Sequence, residues 1–101
     1  MSNVMITRLL TGEEILGDIE LHEGDNACLI KNPTQVGAMA NPKTGNIDVH
    51  MAPFAPLSSQ KDIKISLSCV LCQYEPVPDI LEKYNKMFSS IILPKNTGLS
   101  L

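Results

Sequence analysis

The chain has 101 residues, 44% of them hydrophobic and 19% charged, with a formal net charge of −3 and a pI near 5.2. That is one domain of globular composition; no apolar run approaches the roughly 20 residues that cross a bilayer, and the acidic balance excludes the generally basic surface that drives non-specific nucleic-acid binding. With no tryptophan, two tyrosines and two phenylalanines, a broad base-stacking platform is excluded as well.

The opening residues carry no basic stretch followed by a long apolar one, so the expected location is the cytoplasm, with reduced cysteines. A first strand is predicted from Val4 to Leu10. Val4, Ile6 and Leu10 share a face with Arg8, while Met5 and Leu9 lie opposite, so both faces are largely apolar and both need cover. A neighbouring subunit is one source of the second cover. Thr11-Gly12 then turns the chain into a strand that alternates from Ile15 to His22, with Ile15, Gly17, Ile19 and Leu21 on one face and Leu16, Asp18, Glu20 and His22 on the other. Gly17, inside that strand, marks a sharp bend or the close approach of another backbone.

Glu23-Gly24-Asp25-Asn26 is turn chemistry, and a third strand begins at Ala27 and runs through Ile30. After Asn32-Pro33 it resumes from Thr34 to Ala40, where Gly37 suggests a bent or bulged continuation. Asn41 to Asn46 is a turn. The fourth strand, Ile47 to Ala52, has Ile47, Val49 and Met51 inward and Asp48 and His50 outward, and it stops at Pro53-Phe54-Ala55-Pro56. A polar connection, Leu57 to Asp62, leads to the most regular strand. There Ile63, Ile65, Leu67, Cys69 and Leu71 alternate against Lys64, Ser66 and Ser68. From Val77 the period becomes helical: Val77, Ile80, Leu81, Tyr84, Met87 and Phe88 fall on one face as far as Ser89, with Pro78 and Asp79 suited to the first turn. The tail, residues 91–101, carries Pro94 and Gly98 and is expected to be poorly ordered at its end.

Few residues have the spacing of catalytic or metal-binding groups. Cys69 and Cys72 form a C-x-x-C, but residues three apart in a strand point to opposite faces, so with Cys28 they read as small apolar packing residues. His22 and His50 lie on polar faces with no nucleophile or carboxylate partner indicated by spacing. Glu13-Glu14 and the run Glu20, Glu23, Asp25 follow no cation-binding loop pattern. The expectation is a protein that is not an enzyme, with no cofactor, no metal and no catalytic residue.

The positions Leu9, Gly12, Gly17 and Ile19, followed by the Asp25-Asn26 loop and Leu29, carry a family likeness. This stretch resembles the first sequence motif of the Sm and LSm small-barrel proteins, and the chain as a whole is similar to an Sm-like group known from marine phage and metagenomic sequences. Three features depart from the family pattern: Asp25 and Asn26 are adjacent rather than separated by three residues, no Arg-Gly marks the second motif, and the helix follows the strands instead of preceding them.

The resemblance implies a mainly β fold, a five-stranded and strongly bent antiparallel small barrel over about 4–73, with a C-terminal amphipathic helix at about 77–89 in a single 1–101 domain. The helix stripe would rest on the barrel mouth or in a groove between subunits. The likeness also implies a homo-oligomeric ring, in which strand four of one subunit pairs with strand five of the next. In that family the loops after strands two and four line a pore and hold single-stranded RNA. Carried over, the first loop gives His22, placed to stack on a base, with Asp25 and Asn26, the latter placed to hydrogen-bond a base edge. The second loop gives Ser58, Ser59, Gln60 and Lys61 as donors to phosphate or base. Two functions follow: a ring that binds single-stranded RNA or DNA without bond chemistry, or a structural or adaptor ring that binds a protein through its acidic surface or its helix.

Overall fold

The structure is a computed structural model and describes residues 3–89. The expected disorder of the tail therefore lies outside the described residues. Among the described residues, six strands and one α-helix follow in order: β1 Val4–Leu9, β2 Glu14–His22, β3 Ala27–Ala40, β4 Ile47–Pro53, β5 Asp62–Ser66, β6 Val70–Tyr74 and α1 Pro78–Ser89. All pairing is antiparallel, in one sheet of order β4-β3-β2-β1-β6, with β5 added to β3. The sheet is not closed: its order ends at β4 and β6.

The single strand expected from Ile63 to Leu71 is in fact two. Ser66 accepts a hydrogen bond from the Ser68 N–H and opens one turn of 3-10 helix, Leu67–Cys69, which turns the chain between β5 on β3 and β6 on β1. A serine hydroxyl competing for a nearby backbone N–H is a local alternative to the ladder, and here it wins. Ile65 and Leu67 pack inward, but Cys69 and Leu71 are exposed. Cys72 is exposed too, so of the three cysteines read as packing residues only Cys28 is buried.

β2 and β3 bend together. Leu16 pairs with Thr34 and Asp18 with Lys31, so Gly17 alone faces the two residues Asn32-Pro33. This is a bulge on β3, and Asn32 takes a left-handed conformation there, with φ 50°. A Cβ on Gly17 would lie 2.4 Å from Cγ2 of Ile30 and 2.9 Å from the Lys31 carbonyl oxygen. Close backbone approach is therefore the reason for this glycine, as its place inside a strand suggests. The irregularity lies at Asn32-Pro33 rather than at Gly37, which pairs with His50 in an unbroken register.

On either side of the bend, β3 gives its other edge to a different partner, β5 along Ala27–Lys31 before it and β4 along Thr34–Ala40 after it. Because Ile15 and Leu16 point to opposite faces, the sheet carries two apolar clusters. Ile15, Ile19, Cys28 and Ile30 form one, packed by Met5, Leu9 and Phe54; Ile6, Leu16 and Tyr84 form the other, packed by Val36, Met51, Ile80 and Phe88. Each fully buried isoleucine or leucine stabilises the fold by roughly 1.5–3 kcal/mol.

The two-faced apolar character of β1 is thus explained inside one chain, since Met5 and Leu9 serve the first cluster and Val4 and Ile6 the second, under α1. The helix lies on the sheet face. Of the expected inward residues on β4, Met51 packs under the helix while Ile47 is exposed, and Val77 and Met87 of the helix stripe are also exposed.

Tyr84 fixes the helix to the bend. Its ring is only 4% exposed and its hydroxyl donates to the carbonyls of Lys31, at 2.9 Å, and Asn32, at 3.2 Å. Burial pushes its pKa up to about 12. Tyr74 is raised to about 12 as well, by desolvation and then by its hydrogen bond to Glu14, which also faces Arg8.

Both phenols thus hold their protons more tightly in the folded chain than at the ordinary value of 10.0. Stability is full below that value and is lost as pH rises towards about 12. An ultraviolet tyrosinate titration is expected to show almost no ionisation at pH ~10.5, and then ionisation together with loss of circular dichroism. Half-ionised phenols at about pH 10 in a chain that remains folded would contradict this.

Candidate nucleic-acid interface

Two groups of side chains stand at opposite ends of the β3–β5 ladder, whose five residue pairs extend over roughly 13 Å at strand rise. The first is the loop joining β2 to β3, where Glu23–Asp25 form a turn of 3-10 helix closed by Asn26 in the left-handed conformation, φ 51° and ψ 48°. Asparagine tolerates that conformation better than most residues, so Asn26 has a backbone role whatever its side chain binds. The Asn26 carbonyl accepts the Leu67 N–H at 2.9 Å and Asp25 accepts from Lys64 at 3.0 Å, which ties the loop to the β5–β6 corner. His22 lies 3.0 Å from Glu20, and Lys31 lies 3.5 Å from the same carboxylate.

These contacts set the local charge. A hydrogen bond from Lys64, reinforced by its positive charge, holds the Asp25 carboxyl below its ordinary range, and the His22 hydrogen bond with the Lys31 charge does the same for Glu20. The carboxylates therefore stay ionised at neutral pH, each with a cation beside it. The outcome is an exposed rim of alternating charge, with the Ser66 and Ser68 hydroxyls 2.7 Å apart at the adjoining corner.

The second group is the connection between β4 and β5. Phe54 N–H bonds to the Pro33 carbonyl at 3.0 Å and Asn32 N–H to the Lys61 carbonyl at 3.0 Å, so residues 54–61 form an arch pinned at both feet to the bulge. Within it, Ser58 N–H bonds to the Ala55 carbonyl and the Ser58 hydroxyl accepts the Gln60 N–H at 2.9 Å. Beneath the arch, against the end of α1, lies a cavity of about 280 Å³ lined in part by Ser58, Gln60 and Lys61. Leu57 is fully exposed.

Of the residues singled out in the sequence, His22, Asp25 and Asn26 thus share one loop, and Ser58, Ser59, Gln60 and Lys61 share another; within one chain the two are apart. What joins the first loop is the β5–β6 corner, with Lys64, Ser66 and Ser68. Sequence reasoning passed over these three because they alternate as outward strand residues. The signal was the serine pair two apart, which suits a capped turn as well as a strand.

His50 stands on β4 beside an open cleft against α1, near Asp79 and Lys83. Among the described residues, no group of three or more His, Cys, Asp or Glu is placed to hold a metal ion, and no helix is long and apolar enough to cross a membrane. Compared with protein-family models and with curated proteins, the sequence finds no match.

Proposed function

We propose that the protein is an Sm-like small barrel that assembles with copies of itself into a ring and binds single-stranded RNA, by contact rather than by bond chemistry, in the host cytoplasm if the chain is of phage origin. The observation that carries this reading is the junction at one end of the β3–β5 ladder, where Leu67 N–H to Asn26 and Lys64 to Asp25 hold the β2–β3 loop against the β5–β6 corner. In an Sm-like ring, the β2–β3 loop and the connection before the last strand face the pore; with β5 and β6 separate, that connection is the Leu67–Cys69 turn in place of the expected Ser58–Lys61 loop. The continuous run of chain from β5 on β3 to β6 on β1 supports the barrel form. The outer edges of β4 and β6, at the two ends of the sheet order, supply the strands through which successive copies pair.

The test is fluorescence anisotropy with labelled U-rich, A-rich and DNA strands, alongside native mass spectrometry of the assembly. Saturable RNA binding by a closed oligomer is expected. If about two phosphates are neutralised, fourfold more salt weakens binding roughly sevenfold. Loss of a stacked base in His22→Ala costs at least about fivefold. Absence of binding at low salt overturns the RNA reading, and a monomer at micromolar concentration overturns the ring. A second reading, an adaptor ring that docks a protein partner, draws on the net charge of −3 and the fully exposed Leu57.

A further inference from the structure

We infer that the cavity beneath the 54–61 arch is a separate subsite for one unstacked nucleobase of a bound strand, with the adjoining phosphate on Lys61. This rests on the nucleic-acid reading above and extends it to a place at the other end of β5 from the pore-facing loop.

Among the described residues, three polar side chains at this cavity, the half-buried Asn32 and the exposed Gln60 and Lys61, make no hydrogen bond or ion pair with another side chain. Asn32 and Gln60 line it, and their hydrogen bonds among the described residues are made by the backbone, leaving both side-chain amides unpaired. Lys61 lines it too and, like Lys43 and Lys83, makes no ion pair among the described residues. A carboxamide presents a donor and an acceptor side by side, the pattern that pairs with a base edge. An ammonium without a carboxylate partner is the complement of a phosphate.

The remaining walls are flat and apolar: Pro33, Pro53 and Pro56, with Phe88 and Met87 from the helix end. Phe88 is held by Tyr84, their ring centroids 4.8 Å apart, so this wall is anchored to the core rather than free. A volume of about 280 Å³ lies just below the usual range for small-molecule clefts, roughly 300–1,000 Å³, and suits a single base with part of its sugar. An apolar peptide side chain would use the walls and leave both amides and the ammonium unanswered. A nucleotide uses all of them.

The experiment is a chemical-shift titration of the full chain with 5′-AMP, adenosine and inorganic phosphate in turn, paired with the oligonucleotide anisotropy assay. AMP is expected to give saturable shifts at Ala55, Gln60, Lys61 and Met87, with adenosine weaker and phosphate alone weaker still. Lys61→Gln, at an exposed position, weakens AMP by about fivefold, the upper end for a solvent-exposed ion pair, and leaves adenosine unchanged. Met87→Glu, which places a carboxylate at the rim from a half-exposed helix position, weakens both. If oligonucleotides bind but AMP moves nothing at the arch, or moves only the His22–Asn26 loop, the subsite is overturned and the nucleic-acid reading stands. If phosphate matches AMP, there is no base site. If neither oligonucleotide nor mononucleotide binds, both proposals fall.

Discussion

Gly17→Val is expected to leave no folded protein, and Gly17→Ala to lose about 1–3 kcal/mol or more, read as a fall in the urea midpoint at unchanged slope. The reason is the bulge. A Cβ at this position meets the Ile30 side chain at 2.4 Å and the Lys31 carbonyl at 2.9 Å; Ile30 is fully buried in the first cluster, and Lys31 is held in the ladder on both sides, by Asp18 and Asp62. Neither neighbour can withdraw without moving β3. Gly37→Ala is the control, because a Cβ there meets nothing within 4 Å. An unchanged midpoint for Gly17→Ala would mean that the β2–β3 pairing is not the one described.

Tyr84→Ala is expected to cost roughly 3–5 kcal/mol, as for other large aromatic truncations in a core, and to detach α1. The ring fills the second cluster, against Ile6 and Leu16, and its hydroxyl satisfies carbonyls at the bend. Tyr84→Phe separates the two roles: it keeps the ring and removes the hydroxyl that donates to the Lys31 and Asn32 carbonyls, for a loss of about 0.5–1.5 kcal/mol. Hydrogen exchange along residues 78–89 reports the helix directly. Protection of those amides undiminished in Tyr84→Ala would show that the helix does not depend on this contact.

The pattern of alternation made much of this fold legible. The opposed faces of β1 could be read from Met5 and Leu9 against Val4 and Ile6, and close approach from a glycine inside β2. The helix was marked by a change of period at Val77. What stayed hidden depended on competition between local and long-range bonds. Leu67, Cys69 and Leu71 keep the strand alternation, yet the Ser66 hydroxyl captures a backbone N–H and turns the chain there. Periodicity sees side chains and is blind to that choice. The same limit governed the candidate site. Its loop residues were named from a family pattern, but Lys64 could be placed beside Asp25 only once the β3–β5 register was known. The cavity under the arch needed Phe88, 27 positions from Lys61 in the sequence.

The division of β3 between two partners separates what the sheet requires from what the connection between them carries. β4 and β5 each take their register from their own half of β3, and Phe54 and Lys61 are fixed at the bulge, so residues 55–60 need only span the distance between those two feet. Lengthening such a connection costs little, about 0.6 kcal/mol for each doubling. The arch is therefore the segment whose length and sequence are free to drift while the scaffold stays constant.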